Sequence, residues 1–159
     1  MDKKKLIEEI VIHLAQELKV LLDAAEASHK AATSEENKAE NQYDTRAIEA
    51  GYLAGAQAKR AAELQKQIQI FKYLPVRNYG EDDVMCAGAI AELEHNKTKT
   101  YCFMVPQGGG MVLRFEDKPV QIITSISPMG EALLGKKTGE IAEVETRTGV
   151  REYKVLAIR

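Results

Sequence analysis

Two stretches of this chain place an apolar or small residue in four-three alternation, and a short polar run separates them. The first carries Ile7, Val11, Leu14, Leu18, Leu21, Ala25, Ser28 and Ala32; the second carries Ala47, Gly51, Ala54, Ala58, Ala61, Gln65 and Ile68. This is the seam of a coiled coil. Two such seams joined by a short turn fold back on each other as an antiparallel hairpin. The spacing predicts one helix over residues 2–32 and a second from Tyr43 to about Phe71. The seam residues shrink toward the turn, and Gly51 and Gly55 each cost about 1 kcal/mol against Ala in a helix. A close approach of the two backbones would account for them. At ~1.5 Å rise per residue, each helix carries the turn roughly 40 Å from its base. The turn, Thr33 to Asp44, reads TSEENKAENQYD, so Glu35, Glu36, Glu40 and Asp44 stand at the tip of a narrow rod. Carboxylates there also suit the positive N-terminal end of the second helix, which Ser34 or Asn41 can cap.

Composition narrows the partners. Across 159 residues the net charge is −2, with acids and bases nearly balanced. Gripping duplex DNA or RNA through its phosphates needs a basic face, so any link to nucleic acid is expected to be indirect, through a protein partner. No apolar run approaches the ~20 residues of a membrane span. The N-terminal MDKKKLIEEIVIHLAQEL is interrupted by Glu8, Glu9, His13 and Gln16, unlike a signal peptide. Cys86 and Cys102 have no CxxC partner and fall in strand-like segments, which fits buried thiols in a chain with no visible export signal. A cytoplasmic protein with no membrane contact is expected.

From Asp83 the hydrophobic period changes to that of strands. Short strands are predicted over Val84–Leu93, Thr100–Val105, Met111–Phe115, Val120–Thr124, Ile141–Thr146 and Arg151–Ile158. Turns fall at His95-Asn96-Lys97, Gln107 to Gly110, Asp117-Lys118-Pro119 and Thr148-Gly149. Between the fourth and fifth strands, Ser127-Pro128 opens a short helix, MGEALLG: Ser is a preferred cap, Pro a preferred first residue and Gly135 a suitable stop. The fold class is therefore α+β: an N-terminal antiparallel coiled-coil hairpin over residues 1–75, then a small, mostly antiparallel sheet domain with one short helix over 76–159. Gly130 to Lys137 nearly spells a phosphate-binding loop, but Lys137 stands where a Mg²⁺-binding hydroxyl is needed and the middle residues favour helix. His13, His29 and His95 lack metal-ligand spacing, and no nucleophile–base pattern is present.

The segments ISPMGEALLGKKTGE, from Ile126, and EVETRTGVREYKVLAI, from Glu143, resemble the C-terminal domain of bacterial Gre transcription elongation factors. That family carries a Ser-Pro, a short helix ending Ala-Leu-(Leu/Ile)-Gly-Lys, a Gly-acid turn and a closing strand pair with a Gly-Val-Arg-Glu-Tyr-like turn. In the second helix Glu40-Asn41, Tyr43, Arg46, Tyr52 and Gly55 look like the family's region just beyond its acidic tip. The resemblance implies an FKBP-like C-terminal domain that docks on RNA polymerase at the mouth of the secondary channel, with Ser127 and Pro128 on or near the docking surface. It implies that the hairpin enters the channel, where two tip acids, Glu36 and Glu40 here, help hold a Mg²⁺ jointly with the polymerase while backtracked RNA is cut. The family's tip has an acid, two residues, then Glu-Asn, and a Tyr three after that Asn. Aligning on Glu40-Asn41 puts the first acid at Asn37; aligning on Tyr43 puts the pair at Glu36 and Ala39. Two functions thus stay open: a monomeric cleavage-stimulating factor with no stand-alone enzymatic activity, or a Gre-like regulator that occupies the channel without stimulating cleavage. A prolyl isomerase would rest on the FKBP-like fold alone, and a fold does not carry an activity.

Overall fold

The computed structural model describes residues 1–33, 45–80 and 82–159. Helix α1 runs Lys3–Thr33 and α2 runs Thr45–Lys72. The sheet strands are β1 Ile90–His95, β2 Thr98–Val105, β3 Val112–Phe115, β4 Lys118–Thr124, β5 Ile141–Thr146 and β6 Gly149–Ile158, with helix α3, Pro128–Leu133, between β4 and β5. The chain divides into two compact units: Ile7–Tyr73, and Met1–Leu6 together with Leu74–Arg159. The first turn of α1 thus belongs with the sheet. Asp2 caps it, its Oδ1 accepting from the N–H groups of Lys4 at 3.0 Å and Lys5 at 3.3 Å.

In the helical unit the α1 seam lies where its spacing predicts as far as Ala25, while Ser28 is exposed. Ile7 and Leu14 are buried, joined by Ile10, and Val11, Leu18, Leu21 and Ala25 are half-buried. The α2 seam differs by half. Ala61 and Ile68 are buried as expected, but their companions are Leu64 and Phe71, with Gln57 half-buried, while Ala54, Ala58 and Gln65 are exposed. The alternation is kept and its second position moves back by one residue, about 100° around the helix. Burial of a large apolar side chain contributes roughly 1.5–3 kcal/mol, so Leu64 and Phe71 outweigh an alanine and a glutamine in choosing the face. Glu17 of α1 pairs with Arg60 of α2 at 2.7 Å, the two residues lying about equally far from segment 34–44, as an antiparallel hairpin requires. The expected close approach at the glycines is not present. A Cβ added at Gly51 or Gly55 would meet nothing within 4 Å, and Tyr52 and Leu53 beside them are exposed.

The sheet has the order β3-β4-β2-β1-β6-β5. Four of its pairings are antiparallel, and β2 pairs β4 in parallel, with Phe103 opposite Ile122. Strand β4 therefore slips between β2 and β3 after a two-residue turn at Glu116 and Asp117, which have φ of 49° and 60°. Asn96 and Lys97 make the same left-handed turn between β1 and β2. Strand β1 begins later than its apolar run suggests. Gly88, at φ 91°, and the bond from Ala89 N–H to the Cys86 carbonyl turn the chain there. Met85 instead exchanges hydrogen bonds with Gly135 and Lys136, both at 2.8 Å. One core gathers Met85, Ala91, Leu93, Met104, Ile123 and Val155 around Leu133 of α3. Ile90, Phe103 and Ile122, pointing the other way, are buried too, which is why the central strands read as continuous apolar runs.

Candidate functional site

The end of β4 and the start of α3 form one rigid corner. Ser127 is the N-cap, with φ −81° and ψ 153°. Its hydroxyl donates to the Thr124 carbonyl at 2.8 Å and accepts from Gly130 N–H at 3.1 Å. Thr124 O also accepts from Ser127 N–H at 3.0 Å. Ser127 thus spends its hydrogen-bonding capacity inside the chain and positions its neighbours. Pro128, at the first helical position, is exposed. Gly130 must be glycine here, because an added Cβ would lie 1.8 Å from the Thr124 carbonyl oxygen. Gly135, at φ 77°, follows the helix, and in the stretch from Gly130 to Lys137 the first four residues are helical and the N–H groups of Leu134 to Lys137 are bonded within the chain, so no open nest of N–H groups forms.

Two exposed apolar side chains flank Pro128 that the spacing argument did not single out: Ile126, 82% exposed, and Leu134, 52% exposed. Their exposure has a local cause. An apolar residue before an N-cap packs against the fourth helical position when that position is apolar; here it is Glu131, so Ile126 has no staple partner. Leu133 takes the core and leaves Leu134, one residue on, facing out. The segment therefore exposes three apolar side chains, Ile126 and Pro128 at the hydrogen-bonded start of α3 and Leu134 at its end.

The tip acids Glu36 and Glu40, with Glu35 and Asp44, lie outside the described residues. Among the described residues no group of three or more His, Cys, Asp or Glu is arranged to hold a metal ion, and no helix is long and apolar enough to cross a membrane. Cys86 and Cys102 are both free; burial pushes the Cys102 thiol up to about 12, which leaves it unreactive at neutral pH.

Paired helices and a six-stranded α+β unit together define a two-unit protein. Residues 112–159 match the family described as Transcription elongation factor, GreA/GreB, C-term. The transcription inhibitor protein Gfh1 of Thermus thermophilus is 30% identical over 118 residues, covering 73% of this chain and 72% of that protein. The transcription elongation factor GreA of Streptococcus pneumoniae is 27% identical over 133 residues, covering 79% of this chain and 70% of that protein. Among solved structures, GreA factor homolog 1 (Gfh1) of Thermus thermophilus is similar over 94% of each chain, at 22% identity and a TM-score of 0.38. The chain belongs to the Gre family of transcription factors.

Proposed function

We propose that this protein acts in the cytoplasm as a monomer that binds RNA polymerase at its secondary channel and promotes cleavage of backtracked RNA. The observation that supports the reading is the presence, in one Gre-family chain, of exposed apolar side chains at Ile126, Pro128 and Leu134 and of paired helices 31 and 28 residues long. Such helices run about 40 Å along their own axis. Glu36 and Glu40 are the ligands this chain contributes. Their donors are all carboxylate oxygens, the set that hard Mg²⁺ prefers, and the polymerase supplies the remaining ligands. Bound there, Mg²⁺ supplies stabilisation of the attacking and leaving oxygens in hydrolysis of the RNA backbone. This chain's part is to carry the carboxylates in and orient them. Nucleic acid is reached only through the polymerase.

A second reading has a specific observation in its favour. Neither alignment of the tip restores both acids at the family's spacing, since one register gives Asn37 and the other Ala39, and a relative matched over 72% of its length is named a transcription inhibitor. In that reading the hairpin occupies the channel and cleavage is not stimulated.

One assay separates the two. Stalled, backtracked complexes are incubated with saturating Mg²⁺ and the wild-type protein or the Glu36→Ala/Glu40→Ala double variant. Under the first reading the wild type shortens the RNA and the double variant does not, while both bind polymerase equally. A wild type that binds and leaves the RNA intact establishes the second reading. Full cleavage by the double variant removes both acids from the mechanism.

A further inference from the structure

Within the sheet unit, the first turn of α1 and the segment after Leu74 line an open cavity of about 390 Å³, with Asp2, Lys3, Lys4, Asn78, Tyr79 and Arg159 among its walls. Lys3 is 8% exposed. Its ammonium donates one hydrogen bond, to the Arg77 carbonyl at 2.6 Å, and sits 4.4 Å from the centre of the Tyr79 ring. Among the described residues no carboxylate pairs with it. A buried ammonium carries three donors and a charge that is costly to desolvate unless it is paired.

Acids of the same unit hold other partners. Asp2 lines the cavity, but its Oδ1 accepts from the Lys4 and Lys5 N–H groups at the start of α1. Asp83 pairs with Arg77 at 2.7 Å. Glu92 is bound by Lys99 at 2.8 Å and by one nitrogen of Arg159 at 3.0 Å. The lining thus carries three cationic residues, Lys3, Lys4 and Arg159, with Asn78, against the single carboxylate of Asp2. A cavity of this size lies at the small end of ligand sites, ~300–1,000 Å³.

We infer that this cavity binds a small phosphate-type oxyanion, free or as the phosphate end of a compact ester, with Lys3 as its buried counter-charge. Burial lowers the Lys3 pKa to about 8, so the ammonium is still mostly protonated at neutral pH. The inference is independent of how the protein meets polymerase.

The test uses the full chain at pH 7 and constant ionic strength, with chloride as the reference anion. Inorganic phosphate and ADP are titrated separately, with binding read by calorimetry and by the thermal midpoint. Saturable binding of both probes assigns the oxyanion itself, and of ADP alone the phosphate ester. Lys3→Met is expected to weaken binding at least tenfold, and Lys137→Met, on the loop after α3, to leave it unchanged. If Lys3→Met does not fold by circular dichroism, Lys4→Ala decides, with an expected loss of about threefold. No saturable binding of either probe to the wild type overturns the site, as does binding that folded Lys3→Met, or Lys4→Ala in its place, leaves intact.

Discussion

Gly130 has no room for a side chain. A Cβ there would lie 1.8 Å from the Thr124 carbonyl oxygen and 2.8 Å from its carbon, and that carbonyl already accepts from both the hydroxyl and the N–H of Ser127. Gly130→Ala therefore has to push α3 off the end of β4. A cost of about 2–3 kcal/mol is expected, measured by urea unfolding, and a variant as stable as wild type would show that the corner gives way freely. Glu92 is the second residue with an outsized role. Its side chain is 10% exposed and bridges Lys99 and Arg159. Hydrogen bonding from Lys99, with the nearby Arg159 charge, holds its pKa below the ordinary 4.5. A carboxylate depressed in the folded state stabilises it above the unfolded pKa, and that stability is lost as pH falls through the folded value. Wild-type stability is thus expected to drop as pH falls below about 4.5, and Glu92→Gln to flatten that part of the profile. At pH 7 the same change should cost about 1–2 kcal/mol, less than for a fully buried pair because both cations are half-exposed and solvent-screened.

Among the elements, α2 shows how a heptad pattern is decided. Alternation alone leaves two neighbouring columns of the helix in competition, and the larger side chains of Leu64 and Phe71 win over Ala58 and Gln65. Leu64→Ala is expected to cost about 2–5 kcal/mol. Gln65→Ala and Ala54→Leu should stay within about 0.5 kcal/mol, as surface changes do. Thermal midpoints for the three variants check this ordering, and a damaging Ala54→Leu would restore the close approach that the glycines suggested. The Glu17–Arg60 pair, with both side chains over 40% exposed, sets the hairpin's register more than its stability, being worth at most ~1 kcal/mol. Among the described residues of the helical unit, the deep burial runs from Ile7 to Leu14 and from Ala61 to Phe71.

For the molecule as a whole, the apolar corner makes a separable claim about docking. Pro128 is exposed at the first position of α3, where a carboxylate suits the helix dipole. Pro128→Glu should therefore leave the fold intact and weaken polymerase binding about tenfold, ~1.4 kcal/mol, measured by co-purification and titration against polymerase. Unchanged binding would move the docking surface away from this corner.

Much of this was open to a reader of the sequence, because it depends on neighbours in the chain. The Ser127 cap, Pro128 and the stop at Gly135 are local chemistry, and the strands show themselves by an alternation that burial imposes on each separately. The α1 seam was legible in part: Ile7 and Leu14 are buried as the spacing predicts, but Ile10 is more deeply buried than its neighbour Val11. What depended on distant segments could not be read there. The insertion of β4 beside β2 is a choice among strands of similar apolarity, set by the turn at Glu116-Asp117 and by which faces are buried. The pairing of Glu92 with Arg159 joins residues 67 apart. The burial of Lys3 against Tyr79 happens because the first turn of α1 joins the sheet unit; in sequence, Lys3, Lys4 and Lys5 look alike, and only packing withdraws one of them from water.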